Sequence, residues 1–322
     1  MIVSDVSTDA FRRAHEHVKK HAHHTPLVGS RSLSEATGFR VMLKAESFQR
    51  TGSYKIRGPL NKLAHLDQTE KRAGVICSSA GNHAQGVALA AALHGIRAVV
   101  VMAENATPSK IEATRAYGAE VVLHGTIWDE ANEKALKMTE DQDLTYIHPF
   151  DDLDLIIGQG TLGLEIYDVL PTVDTVVVPI GGGGLISGIS MALKSLNPRV
   201  RIVGVESSGA PAMKRSVEEG RRVELAHVDC VIDGLTVKRV GERTLEIVRR
   251  HVDEIVTLPD EKIFEALLWT LARTKIVVEG AAAAPVAAAL NGLVDAEPGA
   301  TVVCVLSGGN LNLDQLSGMR WN

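Results

Sequence analysis

The chain has 322 residues, of which 45% are hydrophobic and 23% charged, and its formal net charge is -5 at pH 7. This length favours two domains, and a mildly acidic chain with dispersed Lys and Arg residues is unlike a protein that binds nucleic acid. No apolar run has the length of a membrane span, and the three cysteines lie too far apart to indicate a disulfide framework or a zinc site. We therefore expect a cytoplasmic protein whose partner is a small molecule, not a nucleic acid or a membrane.

The predicted elements begin with an amphipathic helix in the first 20 residues, and short β-branched runs then alternate with longer Ala- and Leu-rich segments. Helices are predicted at 82–94 and 109–117, and Thr107 and Pro108 supply the N-cap and first turn of the second. The alanine-rich stretch at 281–290 predicts a buried helix. Such alternation is typical of α/β proteins whose parallel sheets are covered by helices. Strands are predicted at 74–77, 98–102, 120–123, 175–180, 201–206 and 301–306.

The domain organisation is predicted from where the chain crosses between the two halves. We place one crossing before Thr51 and another near residues 146–152, so that a smaller domain, 51–146, is inserted into a larger one, 1–50 and 147–322. Two domains arranged in this way enclose a cleft, and we expect the functional site there.

A run of four glycines, Gly181 to Gly184, joins the predicted strand at 174–180 to a helical segment that begins with Leu185. Glycines leave the backbone free to curl, so that successive N–H groups and the positive end of the helix converge on an anion. The spacing differs from the Gly-x-Gly-x-x-Gly pattern of dinucleotide sites. It therefore favours a single phosphate monoester, with close helix-to-strand packing as the alternative interpretation.

Lys55 lies in the segment SFQRTGSYKIRGPLNKL, next to Tyr54 and Ile56. A lysine in an apolar pocket loses its charge more readily, and the neutral amine is the form that condenses with an aldehyde. Taken alone, a lysine in this setting is more often a solvated residue whose stem lies on apolar neighbours. The other motifs of the chain therefore decide its interpretation.

Two further strand ends carry polar residues. The segment SSAGNH, 78–83, follows the strand at 74–77, and its N–H groups and helix dipole could bind a carboxylate, although Ser and Asn also serve as helix caps. The strand at 301–306 runs into Ser307, whose hydroxyl offers a neutral partner to a heteroaromatic nitrogen. Ligands of open α/β sheets bind at such carboxyl ends of strands.

Together, and in this order, the four segments resemble those of the fold type II pyridoxal phosphate (PLP) enzymes. Within them the chain is most similar to the serine/threonine dehydratases, also called threonine ammonia-lyases, a group that includes serine racemase. The resemblance extends from residue 25 to residue 310. It implies a fold like that of the tryptophan synthase β subunit, with two open, twisted, mainly parallel sheets flanked by helices, and it implies a homo-oligomer.

The resemblance also implies roles for individual residues. Lys55 holds PLP as a Schiff base and is the catalytic base. The other cofactor-binding residues are Tyr54, Asn82, Gly181, Gly182, Gly183, Gly184, Leu185 and Ser307, and the substrate-binding residues are Ser78, Ser79, Ala80, Gly81, Asn82 and His83.

Two departures from the family pattern limit what it implies. The family's cation site would use Glu206, the carbonyl of Ala210 and an acidic side chain two residues later, but that third position is Ala212. Glu206 and Ala210 are therefore weak candidates for metal ligands. Racemases of this group place a serine directly before the Gly-Asn pair, where this chain has Ala80, so we expect weak or absent racemase activity.

The expected reaction is β-elimination of water from a β-hydroxy amino acid such as L-threonine or L-serine, which yields a 2-oxo acid and ammonia. The open alternatives are dehydration of threo-3-hydroxyaspartate or phenylserine, and racemisation of serine. Outside the family, a nucleotide-dependent oxidoreductase is possible because Glu206 ends a strand after a glycine turn, and a non-catalytic PLP-binding protein is the remaining alternative.

Overall fold

The structure, a computed structural model, describes residues 6–312 and contains ten strands within that range. They are β1 (Leu27–Gly29), β2 (Arg40–Ala45), β3 (Val75–Ser78), β4 (Ala98–Met102), β5 (Glu120–Leu123), β6 (Thr145–Tyr146), β7 (Thr175–Pro179), β8 (Arg201–Ser207), β9 (Glu254–Leu258) and β10 (Thr301–Leu306). They form a six-stranded sheet in the order β1-β2-β10-β7-β8-β9 and a four-stranded sheet in the order β5-β4-β3-β6. Adjacent strands are parallel except for β1 and β2.

Thirteen α-helices connect the strands in the described part of the chain. Short 3-10 turns at Glu46–Phe48 and Tyr54–Ile56 precede the third helix. The helices are α1 (Thr8–Val18), α2 (Arg31–Thr37), α3 (Arg57–His65), α4 (Gln68–Ala73), α5 (Asn82–His94), α6 (Pro108–Ala116), α7 (Trp128–Gln142), α8 (Leu153–Val169), α9 (Gly184–Leu196), α10 (Ala212–Glu218), α11 (Glu242–His251), α12 (Asp260–Thr274) and α13 (Gly280–Leu290).

The predicted α/β class, with two mainly parallel sheets flanked by helices, is confirmed. All six predicted strands are present, and each predicted boundary lies within one residue of the observed one. Helix α5 has the predicted bounds, and α6 begins at Pro108 with Thr107 as its N-cap, although the Thr107 side chain makes no capping hydrogen bond. The alanine-rich segment forms the buried helix α13, as expected.

The burial of the central strands explains why their sequences are continuous runs of apolar residues. Every residue of β4, β7 and β10 is buried, because helices cover both faces of each parallel sheet. A large hydrophobic core surrounds the six-stranded sheet, and a second one, with Leu60, Val87 and Val100, lies under the four-stranded sheet. The strands of the smaller sheet fall between residues 75 and 146, inside the segment predicted as the smaller domain, whose boundaries stay a prediction.

The three cysteines are free and buried, Cys77 in β3, Cys304 in β10 and Cys230 in an irregular segment. Over residues 6–312 the structure contains no helix with both the length and the apolar character that a membrane crossing requires.

Candidate active site

A cavity of about 890 Å³ lies at the carboxyl ends of strands from both sheets. Residues that follow β3 and β6 line it from the four-stranded sheet, and residues that follow β7 and β10 line it from the six-stranded sheet. This is the edge of an open α/β sheet at which ligands bind. The cavity brings together residues of all four motifs found in the sequence, and they include Tyr54, Lys55, Ser79, Gly81, Asn82, His83, Gly181, Gly182, Gly183, Gly184, Leu185 and Ser307.

Lys55 lies in the 3-10 turn before α3 and extends into the cavity. Its Nζ donates a hydrogen bond to the carbonyl oxygen of Pro149 at 2.9 Å and lies 5.3 Å from the centre of the Tyr54 ring. Burial lowers the pKa of Lys55 to about 8, although the nearby carboxylate of Glu279 opposes this shift. A sizeable fraction of the amine is therefore neutral near pH 8, as a nucleophile or a base requires.

The Lys55 turn is attached to the strand end that carries Ser307. The backbone N–H of Tyr54 donates to the carbonyl oxygen of Ser307 at 3.0 Å, and Ser53 forms an isolated β-bridge with Gly308. Ser307 itself is 2% exposed and lines the cavity. Lys55 and Ser307 are 252 positions apart in the sequence, and these backbone contacts hold them close together in the fold.

The glycine run adopts a conformation that only glycine satisfies. Gly183 has a φ of +91°, in the left-handed region, and a Cβ atom at Gly182 would collide with the ring of Phe150. At Gly181 a Cβ atom would collide with the carbonyl oxygen of Gly234. Helix α9 begins at Gly184, and the N–H groups of a first helical turn have no intrahelical acceptor. The segment therefore has the form of an anion cradle.

The loop after β3 divides between the cavity and the protein interior. Ser79, Gly81, Asn82 and His83 line the cavity, and Ala80, which lies between them in the loop, is only partly buried and touches the core of the four-stranded sheet. Ser78 is fully buried at the end of β3, and its hydroxyl has no hydrogen-bond partner among residues 6–312. The N-terminus of α5 points its free N–H groups toward the same end of the sheet.

Glu279 is a cavity residue that the sequence did not single out. Asn82 Nδ2 donates to both of its carboxylate oxygens, at 2.8 and 2.9 Å, and Asn310 Nδ2 donates to Asn82 Oδ1 at 2.8 Å. Burial raises the pKa of Glu279 to about 7, against the lowering effect of the Asn82 hydrogen bond. Its one sequence signal was a lone acidic residue between two apolar stretches, immediately before the alanine-rich helix α13.

The segment HPFDD, 148–152, also contributes to the cavity, although the sequence assigned it no role. His148, Pro149 and Phe150 line the cavity wall. Asp151 lies beside them, and its carboxylate accepts from the backbone N–H groups of Glu242 and Thr244 at the start of α11. This segment therefore ties the cavity wall to the helix packed behind the glycine run.

The candidate metal residues lie elsewhere. Glu206, near the end of β8, is 1% exposed, and its carboxylate accepts from the backbone N–H groups of Met213 and Lys214 at 2.8 and 2.9 Å. It thus caps the N-terminus of α10, whose first residue is Ala212. Burial raises the pKa of Glu206 to about 7. Across residues 6–312, no group of three His, Cys, Asp or Glu residues has an arrangement that could hold a metal ion. Within this range, the carbonyl oxygen of Ala210 therefore has no cluster of acidic side chains beside it with which to bind a cation.

Comparison with known protein families agrees with this geometry. The family model described as pyridoxal-phosphate dependent enzyme matches residues 18–308. The chain belongs to this family. The cofactor expected from the sequence resemblance, pyridoxal phosphate, is thereby confirmed, and the alternative of a nucleotide-dependent oxidoreductase is wrong.

Curated relatives and solved structures are similar over nearly the whole chain. The chain is 47% identical over 311 residues to the L-threonine ammonia-lyase of Thermotoga maritima, an alignment that covers 97% of this chain and 77% of that protein. It is 43% identical over 317 residues to the L-threonine dehydratase catabolic TdcB of Staphylococcus aureus, covering 98% and 92%. Maize serine racemase superposes with a TM-score of 0.93 at 34% identity, covering 97% of this chain and 96% of that chain. Threonine deaminase isoform 2 of Solanum lycopersicum gives a TM-score of 0.90 at 36% identity, covering 97% and 93%.

Proposed function

We propose that this protein is a PLP-dependent ammonia-lyase that eliminates water from a small β-hydroxy amino acid, L-threonine or L-serine, and releases a 2-oxo acid and ammonia. The observation that carries the proposal is the meeting of Lys55, the glycine cradle and the loop after β3 in one cavity. The names of the relatives from Thermotoga maritima and Staphylococcus aureus support the same reaction.

The cavity residues fit the cofactor. The cradle of Gly181 to Gly184 and Leu185 would hold a phosphate through N–H groups at the start of α9, and side chains at Gly181 or Gly182 would disturb this backbone because they would collide with Gly234 or Phe150. Lys55 would carry the aldehyde carbon, and Tyr54, Asn82 and Ser307 would surround the ring, because all three line the cavity beside Lys55. When bound, PLP stabilises the negative charge left on the α-carbon of an amino acid.

The remaining chemistry belongs to the side chains of this protein. Lys55, with its lowered pKa, takes the α-proton as general base. Ser307 would offer a pyridine nitrogen of the cofactor a neutral hydroxyl instead of a carboxylate, and such a partner would leave that nitrogen unprotonated. The loop from Ser79 to His83 receives the substrate carboxylate, because the N-terminus of α5 concentrates N–H donors there.

The charges around the cavity favour a substrate with an uncharged side chain. Lys110 forms an ion pair with Asp233 at 2.9 Å, and Lys238 and Arg239 both pair with Glu224. A further cation that lines the cavity, Arg222, is exposed at its rim. We therefore favour serine and threonine over threo-3-hydroxyaspartate. Discriminating a methyl group from a hydrogen is worth only about 1 to 3 kcal/mol, so both substrates should react.

The proposal also covers the compartment in which the enzyme works and its oligomeric state. The free, buried Cys77 and Cys304 suit a reducing compartment, and we place the enzyme in the cytoplasm on that ground. We also expect a homo-oligomer that needs no partner beyond its small amino-acid substrate. Light scattering coupled to size-exclusion chromatography measures the oligomeric state.

The decisive experiment is a panel of β-hydroxy amino acids assayed for 2-oxo acid and ammonia, with Lys55→Ala run beside the wild type. We expect Lys55→Ala to lose turnover together with the visible absorbance that borohydride quenches. Lys110→Ala is the matched control, because it removes another lysine that lines the cavity and should keep that absorbance. Full turnover in Lys55→Ala, or racemisation of L-serine without 2-oxo acid formation, contradicts the proposal.

A further inference from the structure

His148 lies at the carboxyl end of β6, beside the strand β3 that leads into the carboxylate loop, and its ring lines the cavity. Its Nδ1 atom accepts hydrogen bonds from the backbone N–H groups of Phe150 at 3.2 Å and Asp151 at 2.7 Å. The ring also meets the Phe150 ring edge-to-face, with 4.7 Å between their centres. The imidazole is therefore held in one orientation by the backbone that follows it.

These contacts determine which nitrogen of His148 carries the proton. A backbone N–H can only donate, so Nδ1 presents its lone pair and the proton of the neutral ring is on Nε2. Burial lowers the pKa of His148, and the nearby charges of Lys55 and Arg243 lower it further, while those of Asp151 and Asp152 raise it. The ring is consequently a neutral donor, not a cation.

The Nε2–H group is available to a ligand. Among residues 6–312 the hydrogen bonds of the His148 ring are the two that Nδ1 accepts, and the ring lies in the cavity wall next to Pro149, whose carbonyl oxygen holds Lys55 Nζ. His83, the neighbouring imidazole, has no such freedom, because its Nε2 donates to the carbonyl oxygen of Ile147 at 2.9 Å. One imidazole N–H of the cavity wall thus remains uncommitted close to the base.

The substrate has one oxygen for which this donor is suited. The carboxylate belongs to the N–H groups at the start of α5, so the β-hydroxyl needs a different donor, and the Nε2–H of His148 lies in the cavity wall next to the residue that holds Lys55. As the bond between Cβ and oxygen breaks, the bonding pair leaves with the oxygen, and a hydrogen bond to that growing charge is stronger than one to the neutral hydroxyl. A neutral donor stabilises this charge without competing for the carboxylate.

We propose that His148 binds the β-hydroxyl oxygen of the substrate through Nε2–H and thereby selects hydroxyl as the leaving group, an inference that rests on the proposed lyase activity. Lys55 takes the α-proton, the bond between Cβ and oxygen breaks with its electron pair on oxygen, and the hydroxide takes that proton back from Lys55 to leave as water, so the substrate loses one molecule of water overall. His148 keeps its own proton throughout, because a neutral imidazole is a very weak acid.

The test compares L-serine with β-chloro-L-alanine, whose chloride leaves without a donor. His148→Asn retains an acceptor for the N–H groups of Phe150 and Asp151 but lacks the Nε2 donor. We expect kcat/KM of His148→Asn to fall about 10- to 100-fold for L-serine and less than about 3-fold for β-chloro-L-alanine. His148→Gln, which restores an N–H at a similar reach, should recover part of the loss. Equal losses for both substrates, or no loss, overturn the inference.

Binding supplies a second measurement that does not need turnover. α-Methyl-L-serine and 2-aminoisobutyrate both lack an α-proton and differ by one hydroxyl, so spectral titration of the holoenzyme isolates the hydroxyl contact. We expect the wild type to bind α-methyl-L-serine more tightly and His148→Asn to lose that preference. An unchanged preference contradicts the role of His148. A wild type that forms no 2-oxo acid from L-serine, L-threonine or β-chloro-L-alanine refutes the lyase proposal itself.

Discussion

Removing the guanidinium of Arg57 should destabilise the protein more than any ordinary surface change. Arg57 follows Lys55 by two residues and is fully buried. Its Nε and Nη2 donate to Glu46 at 2.8 Å each, and its Nη1 and Nη2 donate to Glu165 at 2.7 and 2.9 Å. Lys44 Nζ binds the same Glu165 at 2.6 Å. Two positive and two negative side chains thus neutralise one another behind the Lys55 turn.

The magnitude follows from what Arg57→Met leaves behind. The variant keeps a side chain of similar volume but leaves the buried carboxylates of Glu46 and Glu165 with Lys44 as their remaining positive partner. Breaking a buried ion pair on one side typically costs about 3 to 5 kcal/mol, because a charge stays buried without its partner. A loss of this size corresponds to a melting temperature lowered by on the order of 10 °C in a protein of this class.

Thermal unfolding followed by circular dichroism measures this effect. Arg31→Met is the matched control, because it breaks the exposed Arg31 and Glu35 pair, whose side chains are 91% and 62% exposed, and should leave the melting temperature unchanged. Arg57→Lys keeps the positive charge but loses the several N–H donors of the guanidinium group. Its melting temperature should lie between those of the wild type and Arg57→Met. If Arg57→Met melts within about 2 °C of the wild type, the argument from buried charge is wrong.

Four further outcomes are expected. Gly182→Ala should weaken PLP binding in an absorbance titration, because the added Cβ would collide with Phe150; an unchanged affinity would exclude the cradle as the phosphate site. Reconstitution of the apoprotein with PLP should accelerate as pH rises through about 8, the pKa of Lys55, since only the neutral amine reacts; a midpoint near its ordinary 10.5 would contradict this shift. Ala80→Ser should increase racemisation of L-serine in a chiral assay, and no increase would remove the argument against racemase activity. Chelation with EDTA should leave turnover unchanged, because both carboxylate oxygens of Glu206, the candidate metal ligand, already accept hydrogen bonds from backbone N–H groups. A loss of activity that Mg²⁺ restores would show that a metal ion is needed.

The strands and helices that were predicted correctly are those whose sequences show the strongest hydrophobic pattern. The six strongly apolar strands and helix α5 were predictable because their periodicity and flanking glycines act within a few residues. Strand β2 was missed because the charged residue Lys44 interrupts its apolar run, and β1, β6 and β9 were also absent from the prediction. In β2, Lys44 is buried and its charge is balanced by Glu165, a residue 121 positions away. A pattern of single residues cannot represent such a pairing.

The sequence by itself determined the α/β class, since alternating apolar strands and helices are a local pattern, and it predicted the glycine cradle and Lys55 as site residues because four motifs occur together in the order typical of the family. Tertiary structure alone decided that Glu279 bonds Asn82, that Glu206 caps a helix, and that His148 presents its Nε2–H to the cavity. The physical reason is that protonation and hydrogen bonding depend on burial and on partners distant in the chain. Lys55 is the clearest example: its place was visible in the sequence, but its lowered pKa exists only because the fold surrounds it.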